Sequence, residues 1–109
     1  MTDSFAPLRE LRELPKFDRP EALEQIVVRE FKKALLMTED EDFPLSESFF
    51  DMGFTSLRVT EVKQRLEELL ECSISSNVLF NNPTAELLVS YLMTEVLTDL
   101  FPEASDARR

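Results

Sequence analysis

SLRVTEVKQRLEELLE, residues 56–71, sets apolar side chains at Leu57, Val59, Val62, Leu66, Leu69 and Leu70. That spacing is the period of a helix with one buried stripe, and it predicts a helix beginning at or just before Ser56. Glu61, Lys63, Arg65, Glu67, Glu68 and Glu71 fall mostly outside the stripe.

Working outward, PEALEQIVVREFKKALLM, residues 20–37, repeats the pattern with Leu23, Ile26, Val27, Phe31, Ala34 and Leu35. Pro20 stands where a helix begins, because its missing N–H is an orphan donor there. Glu21 and Glu24 in the first turns and Lys32 and Lys33 near the end complement the macrodipole. Downstream, Val78, Leu79 and Phe80 fit a single-turn helix wedged against the core. NPTAELLVSYLMTEVLTDLF, residues 82–101, reads as a last helix with Asn82 as cap, Pro83 at the first position and fraying near Phe101. Leu87, Leu88, Tyr91, Leu92 and Val96 step round it, mostly apolar. No strand pattern competes, so the expected fold is all-α: a four-helix bundle of three long helices and one short one, with a long loop after the first.

That loop, residues 38–55, has no sustained period. Phe43, Leu45, Phe49, Phe50 and Met52 are expected to pin it to the core, since a long connection without elements of its own is uncommon in a compact domain. A calcium loop counted from Asp40 fails at Pro44, at the missing glycine of the sixth position and at Asp51 in place of a closing glutamate. Residues 1–19 form a neutral leader in which Phe5, Leu8 and Leu11 recur, with Pro7 and Pro15 limiting any helix to about two turns. A loosely packed leader and a docking segment are both open readings. The domain proper is taken as residues 20–101, and residues 102–109 as a flexible tail.

Composition excludes whole classes of function. Histidine is absent and Cys72 is the single cysteine of 109 residues, which removes Ser-His-Asp and Cys-His catalysis, ordinary zinc sites and an internal disulfide. No catalytic or metal-binding set is assigned. The net charge of −10, from 22 acids and 12 bases, makes nucleic acid and anionic membrane poor partners and favours basic protein surfaces. Six of the acids lie between Thr38 and Leu57, with no base among them. No signal-peptide run or transmembrane-length stretch is evident, and the chain is read as a cytoplasmic monomer.

Within FFDMGFTSLRV, residues 49–59, Gly53 is the chain's one glycine. Ser56 is either the cap of its helix or a chemical handle, because Thr55 is equally able to cap. Gly53 leaves room for a ligand to approach, and a phosphate ester on Ser56 meets the positive helix end.

The run SFFDMGFTSLRVTEVKQRLEE followed by VLFNNPTAELLVSYL resembles an acyl carrier protein, of the polyketide-synthase or hybrid polyketide–peptide type. Asp51, Gly53, Ser56 and Leu57 match the D-x-G-x-x-S-L signature of that family, and Leu79, Phe80, Pro83 and Thr84 match its LF-x-x-P-T segment. The resemblance implies 4′-phosphopantetheine on Ser56, with Asp51, Gly53, Thr55 and Leu57 around it, acquired from coenzyme A through a phosphopantetheinyl transferase. It implies a non-catalytic carrier serving acyl-loading, ketosynthase or condensing, and tailoring enzymes, free-standing or excised from a larger synthase. Phe54, Arg58, Glu61, Glu67, Glu68 and Glu71 are the expected partner-docking residues. Each glutamate also reads as a solvated helix face, and Phe54 and Leu57 as packing residues. Many carriers have aspartate where this chain has Thr55, which bears on transferase choice; the absence of histidine there favours an acyl over a peptidyl cargo. The competing function is an unmodified interaction subunit that docks basic partners through the acidic helix face.

Overall fold

The computed structural model describes residues 7–38 and 40–101. The tail expectation for residues 102–109, Phe5 of the leader and Glu39 of the acidic loop lie outside the described residues. The elements are α1 (Pro7–Glu13), a 3-10 turn (Lys16–Asp18), α2 (Arg19–Ala34), α3 (Ser56–Leu70), α4 (Ser76–Asn81) and α5 (Ala85–Tyr91), which runs on as a π turn (Leu92–Val96). The described chain is all-helical, as expected, with α1 added ahead of the bundle.

Helix α2 is the hub, packing on α1, α3 and α5. Its buried residues Leu23, Ile26, Val27 and Phe31 recur at helical period, and Pro20 sits in its first turn. Glu30 joins that buried face at 5% exposure; its carboxylate meets Lys33 at 3.3 Å and Arg65 of α3 at 3.8 Å. A buried carboxylate is tolerated when it is paired in this way.

The leader is not loose in its described part. Pro7 opens α1, as proline's fixed φ allows, and the helix has 7 residues, the two turns expected between Pro7 and Pro15. Leu11 is wholly buried, and α1 packs on both α2 and α3. Arg19 fastens the arrangement, donating to the carbonyls of Leu14 (3.1 Å), Arg12 (2.9 Å) and Leu100 (3.0 Å). One guanidinium therefore ties the leader and the C-terminal segment to the start of α2.

Two expectations at the far end of the chain need correction. The cap of α5 is Thr84, whose Oγ1 accepts the Leu87 N–H at 3.1 Å. Asn82 instead closes α4, its Nδ2 and backbone N–H both donating to the Val78 carbonyl. Regular helix then stops at Tyr91, and the π turn is marked by a bond from the Leu97 N–H to the Leu92 carbonyl at 2.7 Å. Beyond it Leu97, Leu100 and Phe101 are buried.

Helix α2 ends in a left-handed cap built on leucine. Leu36 has φ +59° and is 90% exposed, while its N–H and that of Met37 return to the carbonyls of Lys33 and Lys32. Glycine suits this position, since a Cβ there costs about 1–2 kcal/mol. Leu36→Gly is expected to stabilise the protein by about 1 kcal/mol, read as a raised midpoint in urea denaturation at unchanged slope. A lowered midpoint would show that the side chain contributes more than its exposure implies.

Candidate functional site

The loop between α2 and α3 is held to the core by Phe43 and Phe49, with Leu45 and Met52 half-buried against them; Phe50, expected to pin it as well, is 37% exposed and lies outside the core. Phe49 stacks on Phe31 of α2 with ring centroids 4.2 Å apart and planes at 10°, and Phe54 meets both rings edge-on at 5.4 and 5.7 Å. Phe43 completes the cluster, 6.1 Å from Phe31. Two backbone bonds fix the loop to the start of α5: the Phe49 N–H donates to the Pro83 carbonyl (2.7 Å), and the Glu86 N–H to the Leu45 carbonyl (3.0 Å). A long loop thus becomes a rigid support for the helix that follows it.

The support delivers Ser56 through one tight turn. The Gly53 N–H returns to the Phe50 carbonyl (3.2 Å) and the Phe54 N–H to the Phe49 carbonyl (3.1 Å). Gly53 has φ +108°, a conformation that side-chain-bearing residues rarely adopt. No atom lies within 4 Å of where a side chain would begin. The glycine is therefore required for its backbone angle, and the open space beside it leaves an approach to the helix start.

Thr55 caps α3. Its backbone is extended, and its Oγ1 accepts the Arg58 N–H at 3.1 Å. Ser56, the first helical residue, is exposed, and its hydroxyl takes no part in the cap. The Ser56 and Leu57 N–H groups belong to a first turn that has no intrahelical acceptors, at the positive end of a 15-residue helix. An exposed hydroxyl, N–H groups without helical acceptors and a helix dipole together fit a phosphodiester. Asp51 is exposed within the turn, its N–H bonded to the Ser48 carbonyl at 3.0 Å.

Around this centre the structure divides the candidate docking residues. Phe54 is 4% exposed and belongs to the core, which corrects its place among the docking residues; it holds the loop from beneath. Leu57 is 69% exposed, although its place in the apolar stripe of α3 suggests burial. It lies about 200° round the helix from Val59, on the side away from the buried Val59, Val62, Leu66 and Leu70. Leu87 of α5, 44% exposed, is turned outward for the same reason.

The acids of α3 are compensated within the helix. Glu61 faces Arg58 at 3.8 Å, Glu68 faces Arg65 at 3.5 Å, and Glu67 faces Lys63 at 3.1 Å. Glu71 stands at the helix end with φ +53°, exposed. Glu67 also reaches beyond its helix, where its Oε2 accepts the Ile74 N–H at 2.8 Å and latches the α3–α4 connection. That N–H bond, more than the Lys63 charge and against the opposing effect of burial, holds the Glu67 carboxyl below the usual carboxylate range. Substituting lysine here would open the latch, so Glu67 is unsuited to a test of docking alone.

A carboxyl with a lowered folded pKa contributes stability that is complete above its unfolded value of about 4.3. That stability is lost as the pH falls through the folded value. Glu67→Ala is expected to cost about 1–2 kcal/mol at pH 7, the worth of hydrogen bonds to a charged group. The gap from the parent protein should narrow as the pH is lowered from about 4.3 through the folded value, followed by urea denaturation across that range. A gap independent of pH would remove the charge from the explanation.

Two other chemistries find no support among the described residues. No group of three or more His, Cys, Asp or Glu side chains converges. The Cys72 thiol is half-buried, and burial, aided by the Glu67 charge, pushes its pKa up, away from nucleophilic reactivity. Among the same residues, no helix is long and apolar enough to cross a membrane.

Comparison with known proteins agrees with this geometry. The family model described as "Phosphopantetheine attachment site" matches residues 25–92, more than half of the chain and nearly all of the stretch from α2 through α5. Polyketide synthase GfsA of Streptomyces halstedii is 27% identical over 92 residues, covering 84% of this chain and 1% of that protein. Spectinabilin polyketide synthase system protein NorC of Streptomyces orinoci is 26% identical over 83 residues, covering 76% of this chain and 4% of its own length. Mycoketide-CoA synthase of Mycobacterium tuberculosis is 39% identical over 49 residues, 45% of this chain and 1% of that protein. The chain thus spans a few hundredths of the length of the curated relatives it matches. No solved structure matches it significantly. The chain belongs to the phosphopantetheine-attachment family of carrier domains, whose members bear 4′-phosphopantetheine as a covalent group.

Proposed function

We propose that Ser56 Oγ is the attachment point and that the protein is a non-catalytic acyl carrier of polyketide biosynthesis, working in the cytoplasm. The observation that carries this reading is the division of labour at the start of α3: Thr55 caps the helix and leaves the neighbouring Ser56 hydroxyl exposed. The polyketide assignment is supported by the names of the relatives, and the acyl cargo by the carrier signature without histidine before the serine.

When bound, the phosphopantetheine supplies a terminal thiol on which acyl groups ride as thioesters. The chain's own part is to hold and present. The Ser56 and Leu57 N–H groups and the helix dipole favour the phosphodiester's negative charge. Gly53 keeps the approach open, and the Phe31–Phe49–Phe54 cluster fixes the height at which Ser56 stands. Tethering gives each partner enzyme a high effective concentration of its substrate. The partners in this reading are a phosphopantetheinyl transferase and the loading, condensing and tailoring enzymes of a synthase, approaching the exposed Leu57, Arg58 and Glu61 beside the serine.

Incubation with coenzyme A and a broad-specificity phosphopantetheinyl transferase is expected to add the mass of one phosphopantetheine to the intact protein. Ser56→Ala is expected to abolish the gain, with an unchanged circular-dichroism spectrum. Absence of any gain with several transferases would favour an unmodified interaction subunit instead.

A further inference from the structure

Leu36 is at odds with its setting in two ways. Its backbone has φ +59°, in the left-handed region that glycine occupies freely and a Cβ opposes. Its side chain is 90% exposed, so no burial offsets that strain. An exposed apolar side chain on ordinary backbone calls for no account, since such groups are common on protein surfaces. Phe17, 89% exposed in the 3-10 turn, is a case of that kind. Glu71, the other non-glycine residue with positive φ among the described residues, carries a charged side chain that belongs in water. Leu36 alone combines backbone strain with a large apolar group held in solvent. Strain of this sort concentrates at sites that bind or react.

Leu36 also stands at the Ser56 end of the molecule. Glu30 of α2 meets Arg65 of α3 at 3.8 Å, and one turn later in α2, Lys33 and Ala34 share a cleft with Arg58 and Glu61, earlier in α3. The two helices thus run in opposite senses, and the end of α2 reaches the start of α3. Phe31 agrees with this, its ring 5.4 Å from that of Phe54, two residues before Ser56. The loop that Leu36 opens brings charge of one sign. Asp40 and Glu41 are exposed and make no ion pair among the described residues. Glu61, Glu67 and Glu68 of α3 each face a cation of their own helix instead. Uncompensated negative charge at this end therefore follows Leu36 rather than α3.

Resting on the assignment of Ser56, we propose that Leu36 is a docking anchor for the phosphopantetheinyl transferase, seated in an apolar socket of that enzyme whose rim is basic. The socket removes the leucine from water, which the free protein does not do, and the rim meets Asp40 and Glu41. A few fully desolvated side chains carry most of the affinity of an interface. Leu36 is then a specificity residue, acting on binding and not on the transfer to Ser56.

The test uses the apo full chain with coenzyme A and a broad-specificity phosphopantetheinyl transferase. Initial rates of mass gain are followed against carrier concentration, with urea denaturation of each variant alongside. Leu36→Gly and Leu36→Asn both suit a left-handed backbone, and both remove the apolar side chain. They are expected to raise the urea midpoint and also to raise KM about tenfold, with kcat unchanged. Leu36→Met keeps an apolar chain on the same strained backbone and is expected to hold both values near those of the parent. A merely structural leucine does not make a more stable variant a poorer substrate. Asp40→Asn combined with Glu41→Gln is expected to raise KM about threefold at low salt and less at high salt. No change at either salt overturns the basic rim. An unchanged KM in the glycine and asparagine variants overturns the anchor, as does a KM raised as much by methionine. A parent that sediments as a dimer, with Leu36→Asn a monomer, overturns it in favour of contact with a second copy. A parent that gains no mass overturns the assignment of Ser56 itself, and this inference with it.

Discussion

A chain shortened to begin at Arg19 is expected to melt about 15 °C below the full protein. The deletion removes Leu11, which is wholly buried, and with it the contact of α1 on α2 and α3. Loss of a buried leucine side chain costs about 3 kcal/mol, and each kcal/mol displaces the melting point of a domain this size by about 5 °C. It also strips Arg19 of its acceptors on Arg12 and Leu14, leaving the Leu100 carbonyl as the remaining one. Leu11→Ala within the full chain should account for most of the loss, and Arg19→Ala for a further part. The comparison is made by calorimetry. An unchanged melting point would show that the leader is appended rather than integral. The stability measurement must accompany any partner assay on the shortened chain, because loss of partner turnover would otherwise be mistaken for loss of a docking segment.

Phe49→Ala is expected to act on fold and function together. Truncating a fully buried phenylalanine costs about 3–5 kcal/mol, and the face-to-face contact with Phe31 at 4.2 Å is lost with it. A domain with a total stability of about 5–15 kcal/mol survives this with little margin. The loop retains its Phe49 N–H bond to Pro83 but loses the side chain that holds it to α2. The predicted result is a large fall in the urea midpoint and a slower rate of modification by the transferase even where the protein remains folded. Phe50→Ala, on the half-exposed neighbour, should leave both nearly unchanged. Equal effects from the two substitutions would contradict a rigid supporting loop.

Much of this is legible in the residues, where periodicity and capping chemistry apply. The stripe of α2 and the start of α3 follow from helical spacing, and the pairing of Thr55 with Ser56 already implies that one hydroxyl is spare. The ion pairs of α3 are within reach too, since Arg58–Glu61, Lys63–Glu67 and Arg65–Glu68 lie three or four residues apart, the spacing at which helical side chains meet. Counting acids without their neighbours overstates the acidity of that face. Phe54 stays ambiguous because an irregular loop has no period to say which way a side chain points. The leader is undervalued because a two-turn helix draws its stability from contacts outside itself, here from Leu11 buried where α1 packs on α2 and α3 and from Arg19 reaching back to the Arg12 and Leu14 carbonyls. The cap of α5 is misplaced because Asn82 and Thr84 are both able to cap, and the need to close α4 takes the first. Glu67 carries no signal at all for its bond to Ile74, which depends on how the chain turns after α3.

The assignment of Ser56 is tested most directly by locating the added group. The modified protein is digested, and the fragment spanning residues 49–65 is sequenced by tandem mass spectrometry. One phosphopantetheine is expected, on Ser56, with Thr55 and Thr60 unmodified. An adduct on Thr55, or on any residue outside this stretch, would contradict the assignment.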